Sequence, residues 1–170
     1  MKNLKKVCML FIALALMGCS KDENNDNPAD NAQFTAAING GTFTDYSAKL
    51  GFYNAEKGIG ENTLVISITD ENNNIIRIFL NGTGGLGNGT IKKIGNVDSN
   101  NFSTNVTIRD QAAQVTYSST SGSITITDSR ANPADSGYHL ISASFNVTTS
   151  TNTGTDVTMT GTLSNMEYLN

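Results

Sequence analysis

From Gln33 onward the chain alternates apolar and hydroxyl-bearing residues with a period of two, and this pattern restricts its fold more than any other feature. Phe34, Ala36 and Ile38 alternate with Thr35, Ala37 and Asn39, and Leu64, Ile66 and Ile68 alternate with Val65, Ser67 and Thr69. The pattern returns in Ala113, Val115 and Tyr117, in Ile124 and Ile126, in Ile141, Ala143, Phe145 and Val147, and in Val157, Met159 and Leu163. Successive side chains of a strand point to opposite faces, so a period of two places one set inward and the other in water. That is the requirement of an antiparallel sheet wetted on one side. The run Ile75–Leu80 is apolar on both faces except for Arg77, which suits a central strand whose arginine reaches solvent past Phe79.

Turn chemistry punctuates these runs. Asn39-Gly40 supplies the positive φ of a tight hairpin, Glu71–Asn74 joins two strong strands, and Thr120-Ser121-Gly122 reads as a break between the runs around Val115 and Ile124. Strands at this spacing predict an all-β fold for residues 33–170, a single antiparallel β-sandwich or partly open barrel of about 8–10 strands.

The beginning of the chain has a different character. Lys2, Lys5 and Lys6 precede an apolar run from Val7 to Met17 and the small residue Gly18, the layout of a secretory signal over residues 1–18. A membrane-spanning helix needs about twenty apolar residues, so this shorter run is read as a signal and not as an anchor. Leu16-Met17-Gly18-Cys19 resembles the lipobox of bacterial lipoproteins. The resemblance implies cleavage before Cys19 and acylation of its sulfur, with membrane contact made through the N-terminal lipid. Each buried methylene contributes about 0.8 kcal/mol, and a durable tether takes more than one acyl chain. Cys8 is lost with the signal and Cys19 to lipid, which leaves the mature domain without thiols, disulfides or thiolate metal sites.

Residues 19–32 read as an acylated cysteine followed by an acidic, amide-rich spacer. Ser20, Lys21, Asp22 and Glu23 resemble the export signal of Bacteroidota lipoproteins, a lysine followed by two acids. That implies an outer-membrane location with the domain facing the cell surface; the periplasm-facing alternative places it on the inner leaflet. Across the mature chain, FTAAINGGTFT, NTLVISITDENNNIIRIFLNGTGG, YSSTSGSITITD and ISASFNVT are similar to small Bacteroidota lipoproteins grouped as a family of unknown function. The resemblance covers strand and turn patterns and carries no substrate or catalytic residue.

Removing residues 1–18 takes three lysines from a count of 11 basic and 15 acidic residues and leaves a net charge of −7. Such a surface excludes nucleic acid as a partner, because counterion release and steering both work against it. Few residues suggest chemistry. His139 is the only histidine, and zinc catalysis needs about three protein ligands. The stretch Asp70–Asn74 lacks the glycine and distal glutamate of a calcium loop and reads as a hairpin. Asp45, Asp110, Asp128, Asp135 and Asp156 adjoin turns, where short polar side chains serve the backbone. The glycine-rich stretch Asn81–Thr90 lacks the Gly-Lys-Ser/Thr ending of a phosphate loop and reads as a connection between strands. The sequence therefore predicts a non-enzymatic module with no cofactor and no metal, binding a protein, a glycan or a small apolar ligand. A calycin-like carrier is the alternative, and a glycan-processing enzyme ranks below both. Tyr46 and Tyr53, in an expected irregular region after the first hairpin, and the stretch Asn96–Asn101 form the candidate binding surface.

Overall fold

The computed structural model describes residues 27–60 and 62–170. Nine strands follow one another: β1 Gln33–Gly40, β2 Phe43–Lys57, β3 Leu64–Asp70, β4 Ile75–Leu80, β5 Ile91–Lys93, β6 Asn105–Asp110, β7 Val115–Ala131, β8 Tyr138–Ser150 and β9 Asp156–Leu169. Apart from β5, each strand pairs antiparallel with its sequence neighbour, and β9 returns to β1, with Phe34 opposite Leu163 and Ile38 opposite Met159. Eight strands thus close an up-and-down barrel, the fuller of the two closures that the alternation allowed. Closure pairs the ring strands along most of their edges.

The strands are unequal. β2, β7, β8 and β9 have 15, 17, 13 and 14 residues, whereas β3, β4 and β6 have 7, 6 and 6. β6 covers only the first part of one edge of β7, opposite Val115–Ser118, and β5 covers Ser123–Thr125 farther along the same edge. The excursion between β4 and β6 thereby completes a wall that the short strands leave open.

Two expectations are corrected by the long strands. The region holding Tyr46 and Tyr53 is strand β2, with a bulge at Gly51 where the register jumps from Leu50 opposite Asp70 to Phe52 opposite Thr69. The extra residue reverses the alternation, so Ala48 is buried and Phe52 is 66% exposed, and the pattern looks irregular when read linearly. Thr120-Ser121-Gly122 is no turn; it is a register shift inside β7, where the strand coils along β8. Gly122 has φ +115°, and a Cβ there would stand 2.3 Å from the carbonyl oxygen of Asn146. Only glycine permits this approach.

Inward side chains from all eight ring strands form one core, including Phe34, Ile66, Ile78, Ile108, Ile124, Phe145 and Met159. Each such burial contributes about 1.5–3 kcal/mol relative to exposure. Phe34 and Phe145 stack with centroids 5.8 Å apart. Arg77 is exposed, in agreement with the expectation that it reaches solvent.

The two ends differ. At one end all four connections are short hairpins: Gly40 to Phe43, Asp70 to Ile75, Asp110 to Val115 and Ser150 to Asp156. The other end carries the connection from Lys57 to Leu64, the long excursion from Leu80 to Asn105, the loop from Ala131 to Tyr138, and the entry of the chain into β1. There Pro28–Asn31 forms a 3₁₀ turn, and Asn27 Oδ1 accepts from Ala29 N–H and from the Asn132 side-chain amide at 2.8 Å. The last residues of the stretch expected to be a spacer are thus folded onto the barrel.

Candidate functional site

Cys19 and the residues Ser20, Lys21, Asp22 and Glu23 lie outside the described residues. Tyr46 and Tyr53 are both half-buried, and their hydroxyls belong to separate networks. Tyr46 donates to Asp70 Oδ2 and accepts from the side-chain amides of Asn72 and Asn74, each at 2.9 Å. Burial and the Asp70 carboxylate hold this phenol above its ordinary pKa. Tyr53 accepts the Glu167 backbone N–H at 3.1 Å, which joins β2 to β9 beyond the start of β1.

The hairpin end is closed by carboxylates that bind backbone. Asp70 accepts the N–H groups of Asn72 and Asn74 at 2.9 and 2.8 Å, so the stretch Asp70–Asn74 is a capped turn. Asp110 accepts the Ala113 N–H at 2.9 Å. Burial alone would raise the Asp110 pKa, but the Ala113 and Ala112 N–H groups, the Thr42 hydroxyl and Arg109 together hold it below the usual range. Tyr117 accepts the Thr42 N–H at 3.0 Å and donates to the Thr42 hydroxyl at 3.1 Å. Such satisfied groups rigidify this end.

The other end is built around Lys92. In β5 the binary pattern is inverted: Ile91 is 59% exposed, whereas Lys92 is 1% exposed and stands opposite the core residue Ile124. Its ammonium donates to the carbonyls of Asn81 and Thr83, both at 2.6 Å. Burial lowers its pKa to about 8, with Asp98 acting in the opposite direction. Asp98 accepts N–H groups from Gly82 at 2.7 Å, Asn100 at 2.9 Å and Phe102 at 3.0 Å. Those bonds and nearby Lys92 hold its carboxyl below the usual range. The Asn81 side chain donates to the carbonyls of Asn96 and Phe102. The glycine-rich stretch and the candidate stretch Asn96–Asn101 are consequently one cross-linked unit.

Beside this unit lies a cleft of about 590 Å³ whose lining includes Lys57, Leu86, Ser129, His139, Tyr168 and Asn170. Leu86, carried by the glycine-rich stretch, is half-buried against the core. His139 stands in β8, edge-on to Tyr168 with centroids 5.8 Å apart. Tyr168 is 4% exposed; burial raises its pKa and a hydrogen bond with Ser129 lowers it, for a net rise. Lys57 donates weakly to the Asn170 side chain at 3.4 Å. Donor groups and one apolar side chain therefore meet at the barrel mouth, which neither Tyr46 nor Tyr53 lines.

Sequence reasoning placed Asp98 inside a candidate stretch but did not single out Lys92, Leu86 or Tyr168. The one local signal was the disordered alternation of Ile91-Lys92-Lys93 after a glycine-rich run. No family model, curated protein or solved structure matches this chain.

Proposed function

We propose that this chain is a lipid-anchored lipoprotein of a bacterial cell envelope, held by Cys19 in the outer membrane with its barrel facing the cell surface and working as a non-catalytic binding module. The observation that carries the anchor is Leu16-Met17-Gly18-Cys19 at the end of a basic and then apolar start, with Ser20-Lys21-Asp22-Glu23 directly after it. A non-catalytic role is supported by the carboxylates: Asp70 and Asp110 bind turn backbone, Asp135 accepts the Gly137 N–H, and Asp128 pairs with Arg130. They serve local structure at separate places and do not converge on one cleft.

The anchor is tested by expressing Cys19→Ala in the producing cell with labelled fatty acid. Loss of label and release from the membrane are expected; retention of both refutes acylation at Cys19. Protease added to intact cells should trim the wild-type domain, and protection until lysis would place it on the periplasmic side. A glycan, lipid and protein binding screen tests the module reading, which falls if every class fails.

A second reading, a calycin-like carrier of a small apolar ligand, is supported by the closed up-and-down barrel with one loop-rich end. The packed core limits such a ligand to the mouth or requires side chains to move aside.

A further inference from the structure

The geometry points to the mouth cleft as a binding site for a small organic anion with an apolar body; this rests on the binding-module reading and names its ligand class. Lys57 supplies a cation, and His139, Ser129 and Tyr168 supply ring and hydroxyl hydrogen-bonding groups to the same cleft of about 590 Å³. A net charge of −7 after loss of residues 1–18 makes the rest of the surface unfavourable to an anion, so a local cation decides where one binds. Tyr168 is preorganised by burial and by the edge of His139. Such ordering lowers the entropic cost of binding.

Leu86 provides the apolar half of the site. It is half-buried against the core, and space lies open beside its carrier stretch: a Cβ on Gly85, Gly87 or Gly89 would meet nothing within 4 Å. The base of the same stretch is fixed, because Lys92 holds the Asn81 and Thr83 carbonyls and Asp98 holds the Gly82 N–H. The apolar body of a ligand in the cleft packs against the Leu86 side chain that lines it. The bound anion faces Lys57.

The test compares 4-phenylbutyrate with 4-phenylbutan-1-ol, two probes that share an apolar body and differ in charge. Each is titrated calorimetrically into the full chain in detergent, against a detergent blank. The carboxylate should bind about tenfold more tightly than the alcohol, the scale of one charge-assisted hydrogen bond. Lys57→Gln, an exposed position, should erase that difference while leaving the circular dichroism spectrum unchanged. Leu86→Trp should weaken both probes by filling the cleft. Equal affinities, no binding of either probe, or a difference that survives Lys57→Gln overturns the assignment. The binding-module reading is judged separately by the broad screen, so a ligand found there of another class would sink the anion site alone.

Discussion

Replacing Gly122 with alanine tests the closure of the barrel where β7 coils along β8. The residue has φ +115°, outside the regions open to a residue with a Cβ, and an alanine Cβ would stand 2.3 Å from Asn146 O and 2.6 Å from Val147 Cα. Both neighbours are backbone of the paired strand, so no side chain can rotate away. The strands must separate by about 1 Å to restore ordinary contact, which breaks one or two ladder bonds at about 1 kcal/mol each. Conformational strain adds about 1–3 kcal/mol. The expected loss is therefore roughly 2–5 kcal/mol out of about 5–15 for a domain, and a fall in Tm of about 5–20 °C. Gly87→Ala is the matched control, because its Cβ would meet nothing within 4 Å and its φ lies outside the left-handed range. It should fall within about 0.5 kcal/mol of wild type. Urea unfolding followed by far-UV circular dichroism and tyrosine fluorescence measures both variants. Equal midpoints for Gly122→Ala and Gly87→Ala would refute the β7–β8 register and the reading of Gly122 as a forced glycine.

Three further outcomes are expected. Lys92 has a folded pKa of about 8 against an ordinary 10.5, so between these values the unfolded chain holds more protons and stability rises with pH. Wild type should gain on Lys92→Met from pH 7.5 to 9.5 in urea titrations, and an unchanged gap would contradict a buried ammonium. Tyr168 is shifted the other way from 10.0; its contribution is full below pH 10 and is lost as pH rises through the folded value, so Tyr168→Phe should flatten the alkaline decline. A decline equally steep in that variant would assign it to other groups. Asp70→Ala removes the acceptor of two turn N–H groups and of the Tyr46 hydroxyl and should cost about 3 kcal/mol; hydrogen exchange of the Asn72 and Asn74 amides should quicken, and protected amides would exclude the capping role.

The eight-strand ring was legible in large part because its core strands obey a period of two. Phe34, Ile66, Ile124, Phe145 and Met159 point inward as their alternation requires. Reading failed where one residue was added. Gly51 shifts β2 by one position, so Leu50 and Phe52 no longer share a face in the expected way, and a strand resembled a loop. Gly122 had the local chemistry of a turn residue, yet the same freedom of φ serves a coiled strand. The mouth was illegible for another reason. Lys92 is inward and Ile91 outward, which composition and periodicity both oppose. The inversion is possible only because two carbonyls from the preceding loop reach the ammonium, and no linear pattern encodes that meeting.

The two ends of the barrel distribute order in different ways, and this bears on where binding can occur. At the hairpin end, Asp70 and Asp110 satisfy their own turns while Tyr46 and Tyr117 tie β2 and β7 to turns distant in sequence, which fixes the strand register there. A cleft of about 480 Å³ lined by Thr42, Gln114 and Tyr117 lies at that end as well, and a ligand that displaced the turn bonds there would lose about 1–3 kcal/mol for each group left unpaired. At the mouth the excursion is tied at Asn81–Thr83 and Asp98, while the glycines around Leu86 remain without close neighbours. The space beside the tip leaves room for a bound molecule while the wall of the barrel stays intact. The mouth is the end whose cleft also holds a cation, Lys57, which the lining of the hairpin-end cleft lacks.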